Sequence, residues 1–395
     1  MNKPFTDPVK LKRLQILFVI LIFIIILFSY GIFISSTNFF QKYISTQHLD
    51  VSVYTKLSNT SFRLMTLIMI LTLLTKFQQL NYQRVLMAVL MLSLLIVPVS
   101  METFPIISAC SNALNRLGEA WFQIFVPVSL RGTLTGIMGG LTGLINLRSI
   151  GIEEAAWNFL IHREHAISII LIISFFFFWY VTVKLDNLNI EKDTKKLDPI
   201  SIMHLMVKYP YIFLTCFLIG FNGGMFYYTI NLISEVLPNQ QPQTYQYVIY
   251  TSGIISPLFI GRLADKCGIA FMVICSIVTL IISSFMSVGL ALLKVNIPIL
   301  FYLLAFIKGG VASSLWALGY ALIGENLRNK GVFRSFSIST IVINIGIIVY
   351  GRVYAKFSDS FELTQLFVGL INLIVFCLLC FTYKNQLQIS TDSKK

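Results

Sequence analysis

The chain has 395 residues, 56% of them hydrophobic and only 12% charged, with a mean hydropathy of +0.79. An average soluble domain is roughly 45–50% apolar and about 25% charged, so this chain lacks the polar surface of an ordinary soluble enzyme, a disordered segment or a nucleic-acid-binding domain. Long continuous apolar runs, rather than short alternating ones, point to an all-α integral membrane protein and not to a barrel. The net charge of +13 comes from short clusters of Lys and Arg between apolar spans, the pattern of a multi-pass protein with positive inner loops.

A membrane-crossing helix needs roughly 20 apolar residues. The first candidate follows Lys3, Lys10, Lys12 and Arg13 and runs from Leu14 to Ser35. It is too long for a signal-peptide core and reads as an uncleaved span. Eleven more follow at 52–75, 83–99, 103–127, 132–156, 165–185, 210–236, 244–262, 268–292, 297–323, 333–356 and 362–383. Pro98 and Pro105 crowd the third and fourth spans. The fifth carries Gly132, Gly136, Gly139, Gly140 and Gly143, a spacing that lets helices approach closely in lipid.

The longest polar stretch, Asp186 to Lys208, divides the twelve spans six and six. The expected organisation is a six-helix bundle over 1–185, a cytosolic linker over 186–209 and a second six-helix bundle over 210–395. With the N-terminus inside, about 20 of the 30 Lys and Arg fall on inner segments and about 9 on outer ones. Both termini are therefore expected in the cytosol. Loops rich in Lys and Asn, with spans rich in Ile and Phe, suggest a bacterial cytoplasmic membrane.

Short motifs support a repeat. Gly261-Arg-Leu-Ala-Asp265-Lys-Cys-Gly268 lies between the eighth and ninth spans. It resembles the G-x-L-a-D-r-x-G loop signature of the major facilitator superfamily. The matching stretch between the second and third spans runs from Leu74 to Arg84, with Gln78 at the aspartate position and Asn81 at the second glycine; Arg84 remains. Arg131-Gly132 opens the fifth span, and Glu325-Asn-Leu-Arg328-Asn-Lys-Gly331 precedes the eleventh. Both are similar to the family's R-G element. The glycines are expected to allow a tight turn. Asp265 suits the positive end of a helix, and the resemblance implies that this helix is the fifth span, at whose start Arg131 stands.

Charged residues inside spans cost about 2.5–3.5 kcal/mol on insertion scales and usually face a cavity or a partner. Arg63, Arg116, Arg148 and Lys308 are the deep cations, and Glu119 is the clearly deep acid. Each also has a structural reading. Arg116 and Glu119 could pair at i, i+3, Arg63 could lie near the surface, Arg148, with Glu153 and Glu154 downstream, could snorkel outward, and Lys308 could neutralise a core carboxylate. The excess of cations favours an anionic substrate. Asn222, Tyr227 and Trp316 are uncharged cavity candidates, and Glu119 is the candidate for proton coupling.

His48, His162, His165 and His204 fall near loops and read as solvated. The six cysteines read as core- or lipid-facing thiols. Cys377 and Cys380 share a helix face without a His or carboxylate beside them, so no metal or other cofactor is expected. No H-x-x-x-D, H-E-x-x-H or G-x-x-x-x-G-K-[ST] constellation is present, so neither an enzyme nor an ATP-driven pump is expected. The reading is a monomeric secondary transporter of a small organic anion or zwitterion: a polycarboxylate or carboxylate siderophore, an amino acid or a phosphorylated metabolite. Its expected partners are that substrate, the lipid bilayer and, in a coupled cycle, protons, with no nucleic acid. The alternative is multidrug efflux by drug/proton antiport. Against it, the stretch Ser149–Glu153 lacks the G-P-x-x-G-G element of such exporters.

Overall fold

The computed structural model describes residues 13, 16–31, 51–73, 80–97, 100, 102–149, 165–186, 206–225, 233–237, 242–295, 297–327, 332–357 and 360–392. Twelve long helices account for most of them. They are α1 (Ile16–Gly31), α2 (Val51–Thr72), α3 (Leu80–Ile96), α4 (Phe104–Phe125), α5 (Arg131–Ser149), α6 (His165–Asp186), α7 (Pro210–Gly223), α8 (Pro242–Cys267), α9 (Ile269–Leu292), α10 (Pro298–Leu327), α11 (Val332–Lys356) and α12 (Phe361–Asp392). Among the described residues there are no strands. Among the described residues, five helices, from Thr244–Cys267 through Phe361–Thr382, are long and apolar enough to cross a membrane by length and composition, and four shorter apolar helices accompany them.

Proline sets several helix starts. Pro210, Pro242 and Pro298 each open a helix, and Pro105 is within the first turn of α4. The ring pre-sets φ, and the missing N–H would have had no partner in a first turn. Glycine separates α8 from α9: Gly268 has φ +97°, which a Cβ would strain. The seventh span is the one whose described helix falls well short of the expected length. Its helix ends at Gly223, and the Gly224 N–H turns back to the carbonyls of Gly220 and Phe221. Residues 226–232 lie outside the described residues. The same holds for most of the linker.

The helices fall into two compact units. The first comprises Met1–Val128, Arg148–Leu197 and Gly324–Ile338; the second comprises Ser129–Leu147, Asp198–Ile323 and Ser339–Lys395. Within the first, α4 packs along α2 and α3. Its Trp121 meets Phe178 of α6 edge-on at 5.3 Å, and Phe122 meets Phe23 of α1 at 5.3 Å. Gly118 lets α1 come close, since a Cβ there would stand 2.8 Å from Ile26 Cγ1. Ser61 Oγ of α2 donates to Ser108 Oγ of α4 at 2.7 Å. Thr72 at the end of α2 shares a hydrogen bond with Ser337 of α11.

Within the second unit, α9 packs along α12, α7 also lies on α12, and α8 lies on α9. Asn222 and Asn372 join α7 to α12 by a reciprocal amide pair at 2.7 and 3.0 Å. The glycines of α5 form its contact with α8. A Cβ on Gly132 would stand 2.5 Å from Gly261 O, one on Gly140 2.9 Å from Ile254 O, and one on Gly143 2.7 Å from Gly253 O. Pro257 interrupts the ladder inside α8. It cannot donate to the carbonyl four residues earlier, and that carbonyl, Gly253 O, accepts instead from Ser313 Oγ of α10 at 3.2 Å.

This backbone contact has a measurable consequence. A Cβ on Gly136 would overlap Pro257 O and sit 3.2 Å from Gly261 Cα. Neither neighbour is a flexible side chain. Gly136→Ala is expected to lower the thermal unfolding midpoint by several degrees, since overpacking costs about 1–3 kcal/mol. Gly289→Ala on α9, where a Cβ meets nothing within 4 Å, should leave the midpoint unchanged or slightly raised. Equal midpoints for the two variants would mean that α5 is not held against α8.

Apolar side chains also cover much of the outside. Phe176, Phe259 and Phe381 are each about two-thirds exposed. Such surface is stable in a bilayer and not in water.

Candidate functional site

The first unit carries its polar chemistry on α4. Ser108, Asn112, Asn115, Arg116, Glu119 and Gln123 are all buried. At about 100° per residue, Asn112, Glu119 and Gln123 lie roughly opposite Trp121 on the helix. Trp121 belongs to the aromatic packing against α6, so the polar arc points away from that packing. Arg116 Nη1 donates to Glu119 Oε2 at 2.9 Å, with both side chains almost fully buried. The i, i+3 pairing weighed from sequence therefore forms. In a low-dielectric setting the pair holds two charges that neither partner could keep alone.

Arg63 of α2 is exposed and lies on the same side as Leu67 and Ile70, which are also exposed. It is not brought to the α4 arc. Arg84 lies inside α3 rather than in a loop, and it is fully buried. Its Nε donates to Thr182 Oγ1 at 2.8 Å and its Nη1 to Asn81 Oδ1 at 2.7 Å. Its guanidinium lies 5.4 Å from the centre of the Trp121 ring. Arg84 thus ties α3, α4 and α6 together.

The second unit contains the contact that the loop motif implied. Asp265, in the last turn of α8, sits at the N-terminus of α5. Its Oδ1 accepts the Gly132 N–H at 2.7 Å, and its Oδ2 accepts the Thr133 N–H at 2.8 Å and the Thr133 hydroxyl at 2.6 Å. The first N–H groups of a helix have no partner within it and carry partial positive charge. A carboxylate from another helix satisfies both needs. Gly261 is not in the turn but inside α8, where its lack of a side chain admits the α5 backbone. Gly268 makes the turn. Arg131 is fully buried at the start of α5. Thr133 was missed in the sequence, although a hydroxyl residue in the first turn after Arg-Gly was a usable signal.

The remaining candidates of this unit lie apart from that contact. Lys308 is buried and reaches Ser287 Oγ of α9 at 2.7 Å and Gln365 Oε1 of α12 at 2.6 Å. Both partners are neutral, and neither was legible as a partner from sequence. No carboxylate among the described residues forms an ion pair with Lys308. Asn222 spends its amide on Asn372 and on the Leu218 carbonyl. Trp316 of α10 is half-buried over Gly223 and near Tyr320. Tyr227 and Arg328 lie outside the described residues, and for Arg148 only the backbone is described. Among the described residues no cluster of His, Cys, Asp and Glu could hold a metal.

No family model and no curated protein matches the sequence. Solved structures do. The proton:xylose symporter XylE of the major facilitator superfamily superposes with a TM-score of 0.70 over 94% of this chain and 96% of that one, at 11% identity. The chain has the major facilitator fold. A bacterial homologue of the iron transporter ferroportin in its outward-facing state matches with a TM-score of 0.63 over 93% of this chain and 99% of that one, also at 11% identity. The human organic anion transporter MFSD10 matches with a TM-score of 0.63 over 94% and 100%, again at 11%. Each likeness spans nearly the whole of both chains, so the fold is matched in both halves and not in one alone.

Proposed function

We propose that this protein is a secondary transporter that moves a small organic anion or zwitterion by alternating access. The moving parts are the halves 1–185 and 210–395, joined by the linker 186–209, in a bacterial cytoplasmic membrane with both termini in the cytosol. The protein works as a monomer, and Glu119 is its candidate for proton coupling. Arg63, Arg148, Tyr227 and Trp316 remain candidates for the substrate path, and Arg328 for the second gating contact.

The Asp265 contact supports a gated cycle. It joins a helix from the N-terminal half of the sequence to one from the C-terminal half through a short set of breakable hydrogen bonds. The charge balance supports an anion. Among the described residues the buried charged side chains are Arg84, Arg116, Arg131, Lys308 and Arg334 against Glu119. A surplus of buried cations produces a positive potential that attracts anions and repels lipophilic cations. One structural neighbour is an organic anion transporter, in keeping with this reading, although the argument rests on the buried charge.

A thermal-shift panel on the purified protein in detergent tests the proposal. It contains di- and tricarboxylates, sugar phosphates, amino acids and lipophilic cations. Ligands that bind only the folded state raise the midpoint. Anions should stabilise the protein, and a stabilising anion should then cross proteoliposome membranes. Stabilisation by lipophilic cations alone would replace anion transport with drug efflux.

A further inference from the structure

Asn112 and Asn115 take no part in the contacts described so far. They are 3% and 1% exposed. Among the described residues neither side-chain carbonyl oxygen has a hydrogen-bond partner. A buried acceptor without a donor costs about as much as a lost hydrogen bond, and native proteins keep few of them without a reason. An apolar residue at either position would remove that cost, so the fold alone does not account for two such amides on one helix.

Their placement supplies a reason. Residues 112, 115, 116 and 119 are neighbours on the helix surface at i, i+3 and i, i+4 spacings. They form a four-cornered patch on the arc facing away from Trp121. One edge of the patch is the closed Arg116–Glu119 ion pair. The opposite edge is the pair of asparagines with open carbonyl oxygens. The patch thus sets, about one turn from that ion pair, two acceptors suited to O–H or N–H donors.

We propose that Asn112 and Asn115 form a hydrogen-bond acceptor subsite of the substrate path, which narrows the substrate to carboxylates that also carry hydroxyl or ammonium groups. The inference rests on the anion-transport reading above. A site built to pair with a substrate hydroxyl rejects the analogue that lacks it, because the site's own polar group is then left buried and unpaired.

The test uses two matched pairs of probes on the full-length protein in detergent: malate with succinate, and citrate with propane-1,2,3-tricarboxylate. Within each pair only a hydroxyl differs. In the wild type the hydroxylated member should stabilise at roughly tenfold lower concentration or better, as one added hydrogen bond would give. In the double variant Asn112→Leu/Asn115→Leu that preference should shrink to within about twofold. The ligand-free midpoint of the variant should be unchanged or raised, because two unsatisfied acceptors are gone.

A ligand-free midpoint lowered by several degrees would show that the asparagines hold the unit together, and would overturn the inference. So would a hydroxyl preference that persists in the variant. Equal stabilisation by both members of each pair in the wild type would leave the anion reading standing and remove this inference alone. No stabilisation by any of the four would remove this inference, and the anion reading would fall with it only if the sugar phosphates and amino acids of the panel also gave no shift.

Discussion

Asp265→Asn is expected to slow transport by roughly thirtyfold while leaving the equilibrium affinity for substrate within a few-fold of wild type. The carboxylate accepts three hydrogen bonds, two from the first N–H groups of α5 and one from the Thr133 hydroxyl. Asparagine offers one acceptor and turns an NH2 group toward donors that cannot receive it, so at least one side of the contact becomes repulsive. It also removes the charge that the helix end favours. Hydrogen bonds to a charged group contribute about 1.5–3 kcal/mol each when fully buried. Asp265 is half-buried, so the whole contact is better placed near about 2 kcal/mol, a factor of roughly thirty in a two-state equilibrium. In the proposed cycle that shift acts on the balance between gating states. The hydrogen bonds of Asp265 go to Gly132 and Thr133 of α5 and not to the α4 arc. Proteoliposome flux and thermal-shift affinity, measured on the same preparation with the stabilising anion of the panel, separate the two effects. A loss of affinity with unchanged maximal flux would assign Asp265 to binding and remove it from gating.

The twelve helices were legible because lipid imposes a length on them. Predicted and observed starts differ by a few residues, and proline at several starts made those boundaries sharp. The glycine spacing of α5 announced a close helix contact. What it could not announce was the partner, because Gly253, Ile254, Pro257 and Gly261 lie more than a hundred residues away. Lys308 illustrates the same limit. Its charge stood out, but its partners Ser287 and Gln365 are ordinary polar residues on other helices. Arg84 stood out as the relic of a loop motif, whereas packing on Trp121 and Thr182 makes it a strut of the first unit. Asn112 and Asn115 were overlooked for a different reason. Attention went to the charges at 116 and 119, although the polar spacing at i, i+3, i+4 and i+7 from Asn112 was visible in the sequence.

Arg116→Gln is expected to have the larger effect on the folded state. It leaves Glu119 buried without its cation, and breaking a buried ion pair from one side costs about 3–5 kcal/mol. A large fall in midpoint would accompany the loss of anion binding, so the single variant alone cannot separate a strut from a ligand group. The double variant Arg116→Met/Glu119→Leu can. Replacing both partners by apolar side chains of similar volume is often neutral or stabilising, so the midpoint should return to near the wild-type value. If the pair served only to hold α4, anion stabilisation and flux would return with it. The expected outcome is a recovered midpoint with no anion response, because the only charged groups on the α4 patch are then gone. Glu119→Gln completes the set. It keeps an acceptor for Arg116 but leaves that buried cation without its counter-charge, so its midpoint should fall as well, and it cannot carry a proton. Should Glu119 couple substrate to protons, this variant would still bind the anion while its flux no longer follows an imposed pH gradient. Flux that follows the gradient as in the wild type would place the coupling group elsewhere.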